Sequence, residues 1–269
     1  MGSRSRKPTM KLVQKWIARG YGQGEGLNYR PFFHVRDVPS KGRSAIVEGL
    51  KTGRIHHYLS DVEYQHHVLA EFSQEVVDIR EQYALLPWEE TQEIARELGI
   101  QHPVYPCTNT PIVMTSDLVL TLLDSNLAVI SVKRAADVRG AASAQERTLE
   151  KLRIEQEYWK RRRIPWVLST ELDICQARAK NLAALRTAMV SRELDPVMAH
   201  FHNFVAVFLE KWEPNKNLNC ILAETAEALG GLSADVTFCL FGRAVWLRRL
   251  PVNLDIPINH FLPVALVWS

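Results

Sequence analysis

Cysteine is scarce in this chain and poorly placed for chemistry. There are four, Cys107, Cys175, Cys220 and Cys239, and no two of them form a CxxC pair. That spacing argues against both a zinc site and a disulfide framework, so the four are expected to be buried thiols. Also missing is any uncharged apolar run near the roughly 18 residues that a membrane span requires. The N-terminal stretch Met10–Ala18 is interrupted by Lys11 and Lys15 and does not read as a secretion signal. A soluble protein of the cytoplasm, without membrane contact, is expected.

What the chain does contain is core material: 46% of its residues are hydrophobic and seven are Trp. Its 269 residues exceed the usual length of one domain, so a catalytic domain followed by a smaller second domain is expected. The modest net charge of +3 hides an asymmetry. Residues 1–58 carry twelve Lys or Arg against Glu25, Asp37 and Glu48, which leaves the remainder of the chain acidic. A basic segment interleaved with Tyr21, Tyr29, Phe32 and Phe33 is what a phosphate backbone attracts, because each neutralised phosphate releases condensed counterion. The plain alternative is a solvated basic tail.

Glycine and proline punctuate residues 20–58, which therefore read as loops with at most short elements, wrapped over the core. Ser60 opens a predicted helix that runs to about Phe72, with Glu63 three residues after the cap. A strand over 76–83 and a helix over 88–98 follow. Two strands, about Ile112–Leu122 and Leu127–Arg134, are joined by Leu123-Asp124-Ser125-Asn126, a sequence suited to a hairpin turn. A long helix over 143–163 and a buried strand over 164–168 complete a mixed α/β core. Beyond about residue 170 the pattern is helical, with segments at 177–191, 197–212, 218–229 and 234–249. Gly230-Gly231 between the last two is compatible with a helix-turn-helix, and Leu250–Pro257 is the expected wing hairpin of a winged-helix-like domain.

The 112–134 hairpin holds the residues that point to chemistry. With its turn centred near Ser125, antiparallel pairing sets Asp117 beside Lys133, and Ser131 shares a face with Lys133. An acidic residue on one strand, followed by x-Val-Lys on the next, is the arrangement of restriction-endonuclease-like nucleases. Asp offers a hard oxygen to magnesium, and the ammonium orients water or stabilises the pentavalent phosphate. A cross-strand ion pair on a solvated sheet face has the same residues. Glu63 is likewise accounted for as the acid of a capping box, and Glu150, between Arg147 and Arg153, as part of a charged helix face. Among His56, His57, His66 and His67, a helix cap separates His57 from His66 and no Cys or close carboxylate pair completes a tetrahedral set, so they do not read as a zinc site; His56 and His57 suit DNA backbone contact or packing.

The strings Lys41-Gly42-Arg43-Ser44, Lys51-Thr52-Gly53-Arg54-Ile55-His56-His57, Ser60-Asp61-Val62-Glu63, Val77-Asp78-Ile79-Arg80-Glu81-Gln82, Thr115-Ser116-Asp117 and Ile164-Pro165-Trp166, taken in order, resemble the TnsA family. These are the endonuclease subunits of heteromeric bacterial transposases. The resemblance covers about residues 41–170 and implies a catalytic set of Glu63, Asp117 and Lys133, with Glu150 as an additional carboxylate. It implies Mg²⁺, for which Mn²⁺ can substitute, held by Glu63, Asp117, the Val132 carbonyl and water. Ser131 stands where the family pattern often has Gln or a carboxylate, and its neutral hydroxyl is a poorer ligand. The resemblance also implies double-stranded DNA at transposon ends as substrate, a TnsB-like recombinase that cuts the other strand, and a TnsC-like ATPase regulator reached through the C-terminal domain.

The expected architecture is a basic DNA-contacting segment (1–58), a restriction-endonuclease-like mixed sheet flanked by helices (59–170) and a helical, winged-helix-like partner- and DNA-binding domain (171–269). Lys41, Arg43, Lys51, Arg54 and His56 are the expected DNA contacts, and the protein is expected on the nucleoid when active. The expected function is Mg²⁺-dependent hydrolysis of the 5′ strand at transposon ends. A stand-alone site-specific nuclease and a non-catalytic DNA-binding adaptor remain the alternatives.

Overall fold

The computed structural model describes residues 8–37, 43–140, 142–190, 198 and 200–267. The chain divides into two compact units, Met1–Ile174 and Cys175–Ser269. Among the described residues no helix is long and apolar enough to cross a membrane.

The first unit opens with α1 (Met10–Ala18), capped by Thr9, and continues to a short hairpin of β1 (Ala45–Glu48) and β2 (Ile55–Tyr58). These strands run through residues expected to be mostly loop. Each is only four residues long, and the glycines flanking them belong to the turn, where Gly53 takes a left-handed φ of +66°. Helix α2 (Asp61–Phe72) follows, then β3 (Val76–Ala84), α3 (Trp88–Glu97), β4 (Thr115–Leu122), β5 (Leu127–Val132), the short α4 (Ala135–Val138), the long α5 (Ser143–Arg161) and β6 (Trp166–Ser169).

The four longer-range strands form one mixed sheet in the order β3-β4-β5-β6, antiparallel except for the β5–β6 pair. Apolar residues alternate across β4, and each face has its own cover. Leu118 and Leu120 pack with Val62 and Ala70 of α2 and with Tyr58, whereas Val119 packs with Ile94 of α3 and with Ile154, Tyr158 and Trp159 of α5. Burial on both faces explains why this strand reads as a nearly continuous apolar run. Val13 and Trp16 of α1 join Phe32, Trp88, Tyr105 and Val113 in a third cluster, so the N-terminal segment is anchored to the same unit.

The β4–β5 turn differs from expectation in register. Leu118 pairs with Ile130 and Thr121 with Leu127. Ser125 adopts a left-handed φ of +67° and donates its N–H to the Leu122 carbonyl at 2.9 Å, closing a three-residue loop one residue earlier than expected. Continued by one step, this register sets Asp117 opposite Ser131 rather than Lys133.

The second unit contains α6 (Gln176–Leu185), α7 (Thr187–Val190), α8 (Phe201–Lys211), α9 (Leu218–Ala228) and α10 (Ala234–Trp246). Gly230 and Gly231, at φ of +93° and +84°, make the turn between the last two, and the Ser233 hydroxyl caps α10 by accepting the Val236 N–H. Leu250–Pro257 does not fold on itself as a hairpin. Instead Val252 bridges to Leu266, while Pro263 bridges to Asn217 ahead of α9, because the returning segment lies further along the chain than the turn residues suggest. The cysteines also depart from expectation. Cys107, Cys175 and Cys220 are exposed and Cys239 is half-buried, since the first lies in a turn at φ +58° and the next two at helix starts that face solvent.

Candidate active site

The β4–β5 hairpin brings Asp117 and Lys133 together. The Lys133 ammonium donates to Asp117 Oδ2 at 2.6 Å and to the Val132 carbonyl at 2.8 Å, and the Val132 N–H reaches the same Asp117 oxygen at 2.7 Å. Burial works against the Lys133 charge, yet the Asp117 carboxylate, with Glu155 and Glu63 behind it, outweighs that and raises its pKa. A charged ammonium in that position suits the holding of a negative phosphate or water oxygen.

Glu63 enters from α2 with two roles at once. The Ser60 hydroxyl accepts the Glu63 N–H at 3.2 Å, and the carboxylate answers by accepting Ser60 Oγ at 3.0 Å and the Leu59 N–H at 3.0 Å. This is a capping box displaced by one residue from the expected Ser60 N–H. The same carboxyl is buried beside Asp117, and burial first, then the Asp117 charge, push its pKa up to about 7. Burial, with the charge of a second carboxylate added to it, holds this group at the edge of ionisation. Gln82 completes its surroundings by donating Nε2 to Glu63 Oε2 at 3.3 Å from a left-handed backbone, φ +47°, on β3. A non-glycine residue in that conformation costs about 1–3 kcal/mol and clusters at functional sites.

Among the described residues no three His, Cys, Asp or Glu side chains converge as a complete metal ligand set. The donors present are two carboxylates and the Val132 carbonyl, all hard oxygens, and the Glu63 carboxyl is raised in pKa by burial and then by the Asp117 charge. Such a set fits a small divalent cation that retains several waters, and a dication there offsets the Glu63–Asp117 repulsion.

Ser131, Glu150 and the basic residues are placed less uniformly. Ser131 is fully buried and donates its hydroxyl to Glu155 Oε1 at 2.5 Å. Glu150 is paired with Arg147 at 2.6 Å on α5. Lys51 donates to the Ser73 and Val76 carbonyls at 2.8 and 2.5 Å, closing the end of α2. Arg54 is buried in a two-pronged pair with Glu81 at 2.6 and 2.9 Å. His56 is fully buried between Thr52 Oγ1 and Glu81. Arg54 and His56, expected as DNA contacts, are thus buried against internal partners, whereas Lys51 is only partly buried. Arg43 is exposed, and Lys41 lies outside the described residues.

The tie made by His66 and the buried carboxyl of Glu155 are not evident from the sequence. His66 is neutral by burial, which lowers its pKa; it is held between the Val62 carbonyl at 2.8 Å and Ser169 Oγ at 2.7 Å, and so ties α2 to β6. Glu155 is a third buried carboxyl on α5, raised in pKa by burial and by the Asp117 charge. Its signal was hidden, since α5 carries acidic residues at Glu146, Glu150, Glu155 and Glu157 and nothing in their spacing marks the one that turns inward.

Comparison with known proteins agrees with this geometry. Residues 73–171 match the family described as TnsA-like endonuclease N terminal, a span that includes Asp117, Ser131, Lys133 and Glu155. The chain is 37% identical over 207 residues to the Transposon Tn7 transposition protein TnsA of Escherichia coli, covering 76% of this chain and 72% of that protein. With a mixed sheet flanked by helices and a carboxylate–lysine pair at its hairpin, this chain belongs to the TnsA family of transposition endonucleases.

Proposed function

We propose that this protein hydrolyses the 5′ strand at transposon ends in a cut-and-paste system, using Glu63, Asp117 and Lys133. The observation that carries the reading is the convergence of Asp117, the Val132 carbonyl and the Lys133 ammonium, with the buried Glu63 carboxyl beside them. Mg²⁺ or Mn²⁺, held by Glu63, Asp117 and the Val132 carbonyl, would supply Lewis acidity and a water of lowered pKa. Asp117 aligns Lys133 through their ion pair, and Lys133 donates to the non-bridging phosphate oxygen as negative charge accumulates there. Ser131 stays out of the ligand set and supports the strand.

The division of labour along the chain is part of the proposal. Residues 1–58 contact the DNA backbone through Lys11, Lys15, Arg19, Arg36 and Arg43, all exposed, rather than through Arg54 and His56. Residues 59–170 form the restriction-endonuclease-like catalytic domain. Residues 171–269 act as a winged-helix-like domain for DNA and for a TnsC-like ATPase. The order of α8, the Asn217 bridge, α9, α10 and the paired segments at Val252 and Leu266 supports that reading. A TnsB-like recombinase makes the complementary cut.

The test uses labelled transposon-end DNA with and without the candidate recombinase, followed by long-read sequencing of insertion products. Asp117→Ala and Lys133→Ala proteins that still assemble should allow 3′-end joining yet leave the element tied to donor DNA, giving cointegrates, whereas the unaltered protein gives simple insertions. A majority of simple insertions from either variant would overturn the 5′-strand role. Nicking that persists in excess chelator would overturn the metal dependence.

A further inference from the structure

Helix α5 carries two lysines, Lys151 and Lys160, that are both exposed but differ in what surrounds them. Lys160, in the last turn, donates to Glu157 at 3.2 Å. Lys151 lines a cleft of about 410 Å³ together with Asp117 and Lys133, and among the described residues no acid pairs with it. Asp137 lines the same cleft, yet no ion pair joins the two. The neighbouring cations are already taken, Arg147 by Glu150 and Lys133 by Asp117, each at 2.6 Å. The Lys151 side chain reaches solvent, yet the protein around it, and then the charges of Arg147 and Lys133, lower its pKa. An unpaired ammonium among like charges gains from an anion, as Glu63 gains from a cation. Apolar side chains of Phe33, Pro103, Ile112 and Met114 line the cleft as well. A DNA strand meets both kinds of lining, since its anionic phosphates alternate with sugars that present carbon.

We propose that Lys151 is a substrate-binding residue that holds the phosphate adjoining the scissile one on the strand being cut. The inference rests on the reading of Asp117 and Lys133 as the hydrolytic site and deepens it. Lys133 is tied to Asp117 and the Val132 carbonyl, so it serves the scissile phosphate. Lys151 makes no bond to those groups and stands on the α5 wall of the same cleft, where the strand continues past them. An ammonium suits the task, because it meets phosphate as a compact charge with three donors. Such a contact carries no sequence information; it fixes the register of the strand, so that the scissile phosphate lies against Lys133.

The experiment measures affinity of the full chain for a transposon-end duplex and for an unrelated duplex across a range of salt, in excess chelator so that the DNA stays whole. Steady-state nicking with Mg²⁺ and the candidate recombinase is measured alongside. Lys151→Gln should weaken binding to both duplexes by the same factor and flatten the slope of log affinity against log salt by about 0.9, the share of one phosphate. In nicking, the loss of kcat/KM should fall on KM, as it does when binding common to ground and transition states is removed. Lys151→Arg should restore the slope, and Lys160→Gln, an equal change of charge outside the cleft, should leave it unaltered. Methylphosphonate, which neutralises one phosphate at a time, fixes the position: at one phosphate adjoining the scissile one it should weaken the unaltered protein and cost Lys151→Gln nothing further. An unchanged slope in Lys151→Gln, an equal change in Lys160→Gln, or penalties that multiply fully at both adjoining phosphates would overturn the proposal. An unchanged slope with loss of recombinase-dependent nicking would assign Lys151 to an acid on a partner protein instead. Nicking that survives Asp117→Ala sinks the catalytic reading alone, since the salt slope in chelator does not depend on cutting.

Discussion

Glu81 and Glu63 are glutamates of nearly equal burial, 0% and 6% exposed, yet their surroundings drive them in opposite directions. Burial alone would raise both. At Glu81 that penalty is more than offset: Arg54 donates two bonds, His56 Nδ1 sits at 2.9 Å and the His57 N–H at 3.1 Å, and the pKa falls to about 2. At Glu63 the bonds come from neutral groups, burial and then the Asp117 charge outweigh the Lys133 ammonium, and the pKa climbs to about 7. One carboxylate is satisfied by the fold and the other is left wanting a cation. The first kind of buried charge ties a hairpin to a sheet, and the second marks a place prepared for a ligand.

The largest effect should come from breaking the satisfied site. Arg54→Met leaves Glu81 buried with its guanidinium partner gone, a loss of about 3–5 kcal/mol for a severed buried pair. For a protein of this size that corresponds to a fall in melting temperature of roughly 10 °C. A drop of less than about 3 °C by calorimetry would mean that water reaches Glu81, and the contrast with Glu63 would collapse.

Glu63→Gln tests the other side and should move stability the opposite way. Removing a carboxylate that ionises reluctantly should stabilise the metal-free protein at pH 8 by about 1–3 kcal/mol, less whatever capping is lost, while nicking disappears. Destabilisation at pH 8 would show that the capping box outweighs the repulsion from Asp117.

The pH dependence sharpens the same contrast, because the two glutamates contribute with opposite sign. Glu63 has a folded pKa above its unfolded value of about 4.3, so its contribution is fully present below that pH and is lost as pH rises through about 7. Glu81 has a depressed folded pKa, so its contribution is present above about 4.3 and lost as pH falls toward about 2. Urea titrations of metal-free protein from pH 5 to 8 should therefore show a downward component that Glu63→Gln abolishes and saturating Mn²⁺ suppresses. An identical slope in Glu63→Gln would assign that component to some other group.

These environments were unequally legible in the sequence. The hairpin with Asp117 and Lys133 was readable because two apolar runs flank Asp124-Ser125-Asn126, and pairing follows from any short turn. Its register was not, since nothing local announces that Ser125 takes the left-handed conformation and shortens the loop. Arg54 and His56 read as part of a basic tract because their partner, Glu81, lies 25 or more residues along and meets them only once β2 docks near β3. Glu63 was legible as a cap from Ser60 alone, but its second role depends on Asp117, which the fold brings to it. Glu155 stayed hidden for the same reason, its partners being serines on two strands. Local pattern yields elements and caps, whereas the sign of a buried charge's pKa shift depends on contacts between distant elements.

The smallest effect is expected where a carboxylate meets an arginine in reach of water. Glu90 on α3 accepts two bonds from Arg162, at 2.6 and 2.8 Å, and the guanidinium lies 3.6 Å from the centroid of the Tyr158 ring. In drawing it resembles the Arg54–Glu81 pair, and the Arg162 bonds lower its pKa. The difference is solvent: the two side chains are 19% and 28% exposed, against 0% and 7% for Glu81 and Arg54. Water screens the Glu90 pair and stands ready to solvate either partner once the other is removed, so no charge is stranded. Glu90→Ala should therefore cost about 1 kcal/mol or less, and the cost should shrink further between 0.1 and 1 M NaCl as the Debye length contracts from about 10 to about 3 Å. The loss in Arg54→Met should be nearly independent of salt, since ions do not enter its surroundings. Melting curves of both variants across that salt range decide the point: a salt-insensitive loss of several kcal/mol at Glu90 would show that bond geometry, rather than exclusion of water, separates strong from weak carboxylate sites in this protein.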